Sequence, residues 1–366
     1  MGKIQKCSRR LVQWIICCAE VRNPPSTKLW IFAVWLAAFY TVWLTIVISG
    51  HHWQTIEEHW GIAMAMAFGS YAAGSTPMGG GTVGFPVLVL LFKQPATLGR
   101  DFSFAIQSIG MTSASIFILC RRQPLEWTML GWTLVGSLIG TPLGVIFIAP
   151  HVPGIAIKVL FAIVWASFGV LHLYRTNDIC ANVGETPAAH RFDRNVGFVL
   201  GLLAGATVAS ITGVGIDMIL YAVMVLLMRA DLKVAIPSTV IVMAFTSLVG
   251  IATKNLFTGV QPGVYENWLA AAPVVALGAP LGSYVVNKIG RKPTLYFVAI
   301  LCIGQFIWTM HQEFSTLGWL GITLSAVVVT VCNVLFEWLW RFGDKLERRS
   351  VPATVTRREE HVQLNS

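Results

Sequence analysis

The sequence contains few charged residues. Only 12% of its 366 residues are Asp, Glu, Lys or Arg, whereas 55% are hydrophobic. Soluble globular domains carry about 25% charged residues, so this composition argues against a soluble protein. The formal net charge of +9 does not indicate nucleic-acid binding, because the basic residues stand in short clusters between apolar segments, as at Arg121-Arg122. Such clusters are typical of the charges that fix the topology of a membrane protein.

The sequence also lacks the patterns of a metal centre or a catalytic site. None of the seven cysteines forms a CxxC pair, and acidic residues and histidines do not gather within any apolar segment. His51, His52 and His59 are close together in a short polar stretch, where we predict a solvated outer loop rather than the alternative of a metal site. We therefore predict no metal, no cofactor and no catalytic residues, and hence a protein that is not an enzyme.

Long apolar runs are abundant instead. About 20 apolar residues in a helix cross the roughly 30 Å of bilayer hydrocarbon, and runs of this length recur along the chain. The sequence therefore predicts an all-α membrane protein. We predict eight transmembrane helices, at residues 29–48, 101–120, 124–148, 158–175, 232–251, 266–287, 294–310 and 317–340.

Two further apolar segments have the wrong length for complete crossings. Residues 61–92 contain no Asp, Glu, Lys or Arg and are interrupted by Gly-rich residues 79–81. As one helix they would be about 48 Å long, too long for one crossing and too short for two crossings and a turn. Residues 196–228 have the same length problem, with an interruption at 212–215. Each segment predicts a re-entrant hairpin of two half-helices joined by a Gly-rich turn within the membrane.

The distribution of basic residues favours these hairpins. If both segments crossed the membrane completely, eight loop Lys and Arg residues would lie inside and six outside. If both turn back, ten lie inside and four outside, the latter being Lys93, Arg100, Lys158 and Lys254. The positive-inside rule prefers the second arrangement, with both termini cytoplasmic and the plasma membrane as the expected location.

An ordered series of matches divides the chain into two repeats. The run Gly140-Thr-Pro-Leu-Gly144 corresponds to Gly278-Ala-Pro-Leu-Gly282, and Gly79 and Gly81 correspond to Gly213 and Gly215. Each repeat would hold one hairpin and three full crossings, an odd number that inverts one repeat relative to the other. The predicted organisation is a cytoplasmic basic tail (1–28), an extra transmembrane helix with an outer loop (29–60), a first repeat (61–174), a cytoplasmic linker (175–195), a second repeat (196–310), an extra C-terminal transmembrane helix (311–340) and a cytoplasmic tail (341–366).

The first turn carries a family signature. Its sequence Gly79-Gly-Gly-Thr-Val-Gly-Phe-Pro86 resembles the GGGxxxxP pattern of the TauE/SafE sulfite exporter family, and the paired layout is similar to that family over residues 61–310. The resemblance implies transport of sulfite, sulfonates, thiosulfate or a related small anion. The second turn departs from the pattern, with Ile216 and Asp217 where the family often has Gly, and Ala222 where the proline would fall.

The residue types at both turns independently indicate anion binding. A half-helix that begins at a Gly-rich turn presents unpaired backbone N–H groups and the positive end of its dipole, which together bind oxyanions. The alternative is that these small residues only permit tight helix packing. The predicted substrate-binding residues are Thr76, Gly79, Gly80, Gly81, Thr82, Thr212, Gly213 and Gly215 at the turns, with Arg100, Ser103, Gln107, Ser238 and Thr239 along the helices that follow.

Two acidic residues have alternative roles at this stage. Asp217 is the only formal charge in the second hairpin, and we predict either a proton-coupling site or a hydrogen-bond acceptor with a structural role. Asp101 is predicted to cap the helix that starts at residue 101, and Arg100 to attract anions from outside. The leading function is a secondary transporter, most simply an exporter, of a small sulfur-containing oxyanion. An anion channel and proton-coupled anion uptake are the alternatives.

Overall fold

The computed structural model describes residues 28–182, 190–289 and 291–350, and these residues form helices joined by short loops, with no β-strand among them. The predicted basic tail before residue 28, the middle of the predicted linker and the chain after residue 350 lie outside the described residues. The all-α membrane fold is confirmed. In chain order the helices are α1 (Leu29–Ser49), α2 (Trp53–Glu58), α3 (Trp60–Ser75), α4 (Gly81–Leu91), α5 (Ala96–Cys120), α6 (Trp127–His151), α7 (Gly154–Ala181), α8 (Phe192–Thr212), α9 (Ile216–Leu227), α10 (Leu232–Thr258), α11 (Val264–Ile289), α12 (Arg291–Gln312) and α13 (Phe314–Ser350).

Nine of the described helices are long and apolar enough to cross a membrane, one more than the eight predicted. The additional helix is α8, the first limb of the second predicted hairpin. Its 21 residues are about 31 Å long, so the prediction of a half-helix there was wrong. The helix is longer than expected because its first turn begins within the segment read from the sequence as a polar linker. The short limbs are α4 and α9.

Both predicted hairpins turn back. A Cβ atom on Gly61, at the start of α3, would lie 3.0 Å from the Phe92 ring that follows α4, so the open ends of the first hairpin adjoin each other. For the second hairpin, both ends lie near the start of α6. A Cβ on Gly197 in α8 would lie 2.7 Å from the Met129 carbonyl oxygen, and the Glu126 amide donates to Ser238 Oγ near the start of α10.

The two hairpins open at opposite ends of the helix bundle. The first leads through residues 93–95 directly into the start of α5, whereas the second opens beside Glu126, just after the end of α5. Because α5 is one continuous helix of 25 residues, these two places lie about 37 Å apart along its axis. The Gly-rich turns of the two hairpins therefore approach each other from opposite directions.

Rows of glycines on one side of a helix, here called glycine faces, let each hairpin pack closely against a helix outside that hairpin. Gly136, Gly140 and Gly144 of α6 stand four residues apart, and a Cβ on any of them would overlap the backbone of α8. In the same way a Cβ on Gly74 of α3, or on Gly282 of α11, would overlap the backbone of the other helix. Small residues at this spacing let helix axes approach closely in a membrane. Thus α8 packs on α6, and α3 packs on α11.

Candidate site at the two hairpin turns

The two Gly-rich turns are in direct contact. Gly79 has a φ of 63° and Gly215 a φ of 100°, backbone conformations that other residues rarely adopt. A Cβ on Gly79 would lie 3.2 Å from Asp217 Oδ2 of the other turn, and a Cβ on Gly81 would overlap the Val214 side chain. Glycine is needed here for both reasons: the chain must turn sharply, and the opposite turn leaves no room for a side chain.

Polar atoms without hydrogen-bond partners surround this contact. Both amide atoms of Gln107 lack a partner, as does Asp217 Oδ2, although each side chain is only 1% exposed. Asp217 Oδ1, by contrast, accepts a hydrogen bond from the Met218 amide at 3.0 Å. Buried polar atoms are nearly always satisfied in native proteins, so an unsatisfied group at a turn contact indicates a place for a polar ligand.

The threonine hydroxyls predicted to bind substrate are occupied by the protein itself. Thr76 Oγ1 donates to the Ala72 carbonyl, and Thr212 Oγ1 bonds to the carbonyls of Val208 and Val214. Thr82 Oγ1 donates to the Met78 carbonyl and accepts a hydrogen bond from Trp165 Nε1 at 2.7 Å. These hydroxyls therefore fix the shape of the turns.

Trp165 was not predicted from the sequence. Its indole is fully buried and stacks on Phe161, with ring centroids 3.9 Å apart. A Cβ on Gly215 would lie 3.4 Å from the same indole, so Trp165 of α7 contacts both turns. No sequence pattern separates it from the many tryptophans that face lipid.

The remaining predicted residues divide into two groups. Ser103 is at the contact, because a Cβ on Gly81 would lie 3.1 Å from its Oγ, although that hydroxyl also donates to the Gly99 carbonyl. Ser238 and Thr239 are elsewhere. Ser238 bonds to the Glu126 amide at the open end of the second hairpin, and Thr239 Oγ1 donates to the Ile236 carbonyl.

The comparison with known families agrees with the signature in the first turn. The model of the family described as sulfite exporter TauE/SafE matches residues 61–308, which is 248 of the 366 residues. The chain belongs to the TauE/SafE sulfite exporter family. No curated protein and no solved structure matches it. The TauE/SafE match covers both hairpins and leaves out α1, α2 and all of α13.

One sizeable cavity of this TauE/SafE protein does not lie between the turns. A cavity of about 700 Å³ opens between the first hairpin and α12. Its lining is mostly apolar and includes Phe68, Phe297 and Trp308. Polar side chains such as Thr82, Thr294 and Gln305 are the minority. Such a surface suits hydrocarbon better than a hydrated anion. The turn contact is the better candidate for the anion.

Asp101 does not have the role predicted for it at a helix start. Helix α5 begins at Ala96 with Pro95 as its N-cap, five residues earlier than predicted, so Asp101 is not a cap. Both residues are buried, and Asp101 forms ion pairs with Arg100 at 2.9 Å and with Lys254 at 3.1 Å. Lys254 was counted from the sequence only as an outer loop charge.

Proposed function

We propose that this TauE/SafE protein is a secondary transporter that exports a small sulfur-containing oxyanion, such as sulfite or an organosulfonate, and binds it between the two Gly-rich turns. One observation carries the proposal. The turns of two oppositely directed hairpins meet at a place where Gln107 and Asp217 offer buried polar atoms without partners. Gln107 supplies an amide N–H₂ donor for an oxyanion, and the first turns of α4 and α9 supply their positive dipole ends.

Export follows from the membrane potential. A cell interior is negative, so each negative charge that leaves gains about 2.3 kcal/mol per 100 mV. Export of an anion then requires no other driving force. In this proposal both termini are cytoplasmic and the first hairpin enters from outside, an orientation that the positive-inside distribution of Lys and Arg supports, and the protein is in the plasma membrane.

Asp217 supports a second candidate function, proton-coupled uptake. An ionised carboxylate would repel an anion at the turns, whereas a protonated Asp217 donates a hydrogen bond from Oδ2. Binding of the anion together with a proton would allow accumulation against the potential. In the export proposal Asp217 adjusts the affinity for the anion and does not drive accumulation.

The experiment is a flux measurement in proteoliposomes at controlled potential. Sulfite, thiosulfate, sulfoacetate and sulfate are compared, with and without a proton gradient, for the wild type and Asp217→Asn. Glu266→Gln is the matched control, because it removes one negative charge at an exposed position of α11. We expect saturable flux down the electrochemical gradient of the anion, and an altered half-saturating concentration in Asp217→Asn alone.

Three results would count against the export proposal. Accumulation of anion against the potential under a proton gradient, abolished only in Asp217→Asn, would establish coupled uptake. A steady current that does not saturate with anion concentration would establish a channel. Absence of flux for all four anions would reject this substrate class.

A further inference from the structure

Three buried charged side chains form a cluster beside the second turn. Asp101 Oδ1 pairs with Arg100 Nε at 2.9 Å, and Asp101 Oδ2 pairs with Lys254 Nζ at 3.1 Å. The three residues are 4%, 0% and 6% exposed for Arg100, Asp101 and Lys254. The cluster joins the second turn of α5 to the last turns of α10, two helices that are far apart in the sequence.

The charges of this cluster do not balance. Two cations and one carboxylate leave a formal charge of +1, and Asp101 is the only acidic partner of either cation in the part of the chain that the structure describes. The second oxygen of Asp101 is further occupied by the Gln261 amide at 3.2 Å. The Ala149 carbonyl, 3.4 Å from Arg100 Nη1, offers only the partial negative charge of a helix end. A buried charge without a counter-ion is unfavourable, so the cluster attracts an anion.

The cluster is next to the predicted route of the substrate. A Cβ on Gly213 would lie only 2.3 Å from the backbone carbonyl oxygen of Arg100. The backbone of Arg100 therefore packs directly against the second turn. It lies at the end of the bundle where α5 begins and α10 ends, the end predicted to face outward.

We propose that Arg100, Asp101 and Lys254 form a second anion site, which holds a small oxyanion at the outer side of the turn contact. This inference rests on the proposed function for the identity of the anion. Lys254 Nζ and the guanidinium N–H groups of Arg100 donate charge-assisted hydrogen bonds to the oxyanion. Asp101 limits the net charge to +1, and an anion that is attracted by one charge unit rather than two is released more readily to the outside.

The first test is a thermal-unfolding titration of the purified protein with sulfite, a measurement that needs no transport. We compare the wild type with Lys254→Gln, Lys254→Arg and the matched control Lys233→Gln, which removes a lysine charge at an exposed position of the same helix. Loss of a charged hydrogen-bond donor should raise the half-saturating sulfite concentration about tenfold in Lys254→Gln. Lys254→Arg keeps the positive charge, and Lys233→Gln removes an exposed one. Both variants should therefore stay within about threefold of the wild type.

A double variant tests charge independently of the lysine itself. Asp101→Asn combined with Lys254→Gln restores a net charge of +1 through Arg100, and should bind sulfite more tightly than Lys254→Gln alone. The proposal is overturned if Lys254→Gln titrates like Lys233→Gln, or if the double and single variants titrate alike.

Flux from each face of oriented vesicles separates this inference from the proposed function. Lys254→Gln should raise the half-saturating concentration for sulfite presented on the Lys254 side more than on the other side. A titration that depends on Lys254 in a protein without saturable flux would reject export and keep the anion site. Saturable flux that is unaffected from both sides by Lys254→Gln would keep export and reject the site.

Discussion

Substitution by alanine at two neighbouring glycines of the first turn should affect transport differently, with a loss of flux at Gly81 and little change at Gly80. Gly81 points at the other turn, whereas Gly80 points away from it. A Cβ on Gly81 would overlap the Val214 side chain and lie 3.0 Å from Gln107 Nε2. A Cβ on Gly80 would meet only the flexible end of Met66 at 3.2 Å and Ala73 at 3.7 Å.

The size of the effect follows from these distances. Carbon atoms in contact are normally about 3.5–4.0 Å apart, so Gly81→Ala must push the two turns apart by roughly 1 Å. A displacement of about 1 Å at a site that positions its ligand can reduce the rate by about 100-fold. Both glycines have backbone conformations that alanine tolerates, since neither is among the positive-φ residues. Gly80→Ala should therefore retain flux within about twofold of the wild type, because only the flexible end of the Met66 side chain must shift by a few tenths of an ångström to admit the methyl group.

The assay is sulfite flux in proteoliposomes that contain equal amounts of folded protein, with folding checked by the midpoint of thermal unfolding. A loss of at least about tenfold in Gly81→Ala, with Gly80→Ala unaffected, would show that transport needs the turns in contact. Equal flux in the two variants would refute the reasoning and leave the glycines with a packing role alone. Equal losses would show that the first turn tolerates no side chain in any direction.

Three further predictions concern topology, the support of the turns and the C-terminal helix. Single cysteines at Gln123 and Asn182, in a protein without other cysteines, should resist an impermeant thiol reagent applied outside, since both positions are predicted to be cytoplasmic. Trp165→Phe should lower the free energy of unfolding by about 1 kcal/mol, because it removes one buried hydrogen bond to a turn hydroxyl. Arg229→Gln should speed hydrogen exchange in α13, because Arg229 lies over the Trp340 ring at 3.1 Å and pairs with Asp344 at 2.7 Å.

Each of these has a control within the chain. A cysteine at Gln54, in the predicted outer loop, should label readily, and labelling of all three positions from outside would reject the predicted orientation. Trp319→Phe, at a 74% exposed indole, should not change stability. Arg341→Gln removes an exposed arginine of the same C-terminal helix and should leave exchange unchanged; equal acceleration by Arg341→Gln and Arg229→Gln would show a general effect of charge.

Length and charge were sufficient to predict the turn in the first hairpin segment, residues 61–92. The absence of charge in residues 61–92 and the Gly-rich interruption left few alternatives to a turn within the membrane, and the contacts of Gly61 with Phe92 confirm that the chain turns back. The length of α8 was missed because Asp193, Arg194 and Asn195 resemble a polar linker, although they form the first turn of the helix. Hydropathy indicates which residues of a helix lie in hydrocarbon. It does not indicate at which residue the backbone hydrogen bonds of the helix begin.

The composition of the site was only partly predictable. The signature at Gly79 locates the turn, but whether a nearby threonine faces the ligand or its own backbone depends on rotamers that no sequence pattern reports. Trp165 and Lys254 reach the site from helices more than 80 residues away in the chain, through contacts between non-adjacent helices. Asp101 was misread as a cap because α5 starts one turn earlier than its first charged residue.

The glycine faces also determine the order in which the protein can assemble during synthesis. The partners α6 and α8 are close in the chain, and Gly140 meets Leu202 only 62 residues later. The partner of α3 is synthesised later, because Gly74 of α3 packs against Ala279, 205 residues further on. At translation rates of about 5–20 residues per second, this interval is roughly 10–40 s. For that time the small-residue face of α3 lacks the helix it packs against, so we expect the first hairpin to be completed only after α11 has been synthesised.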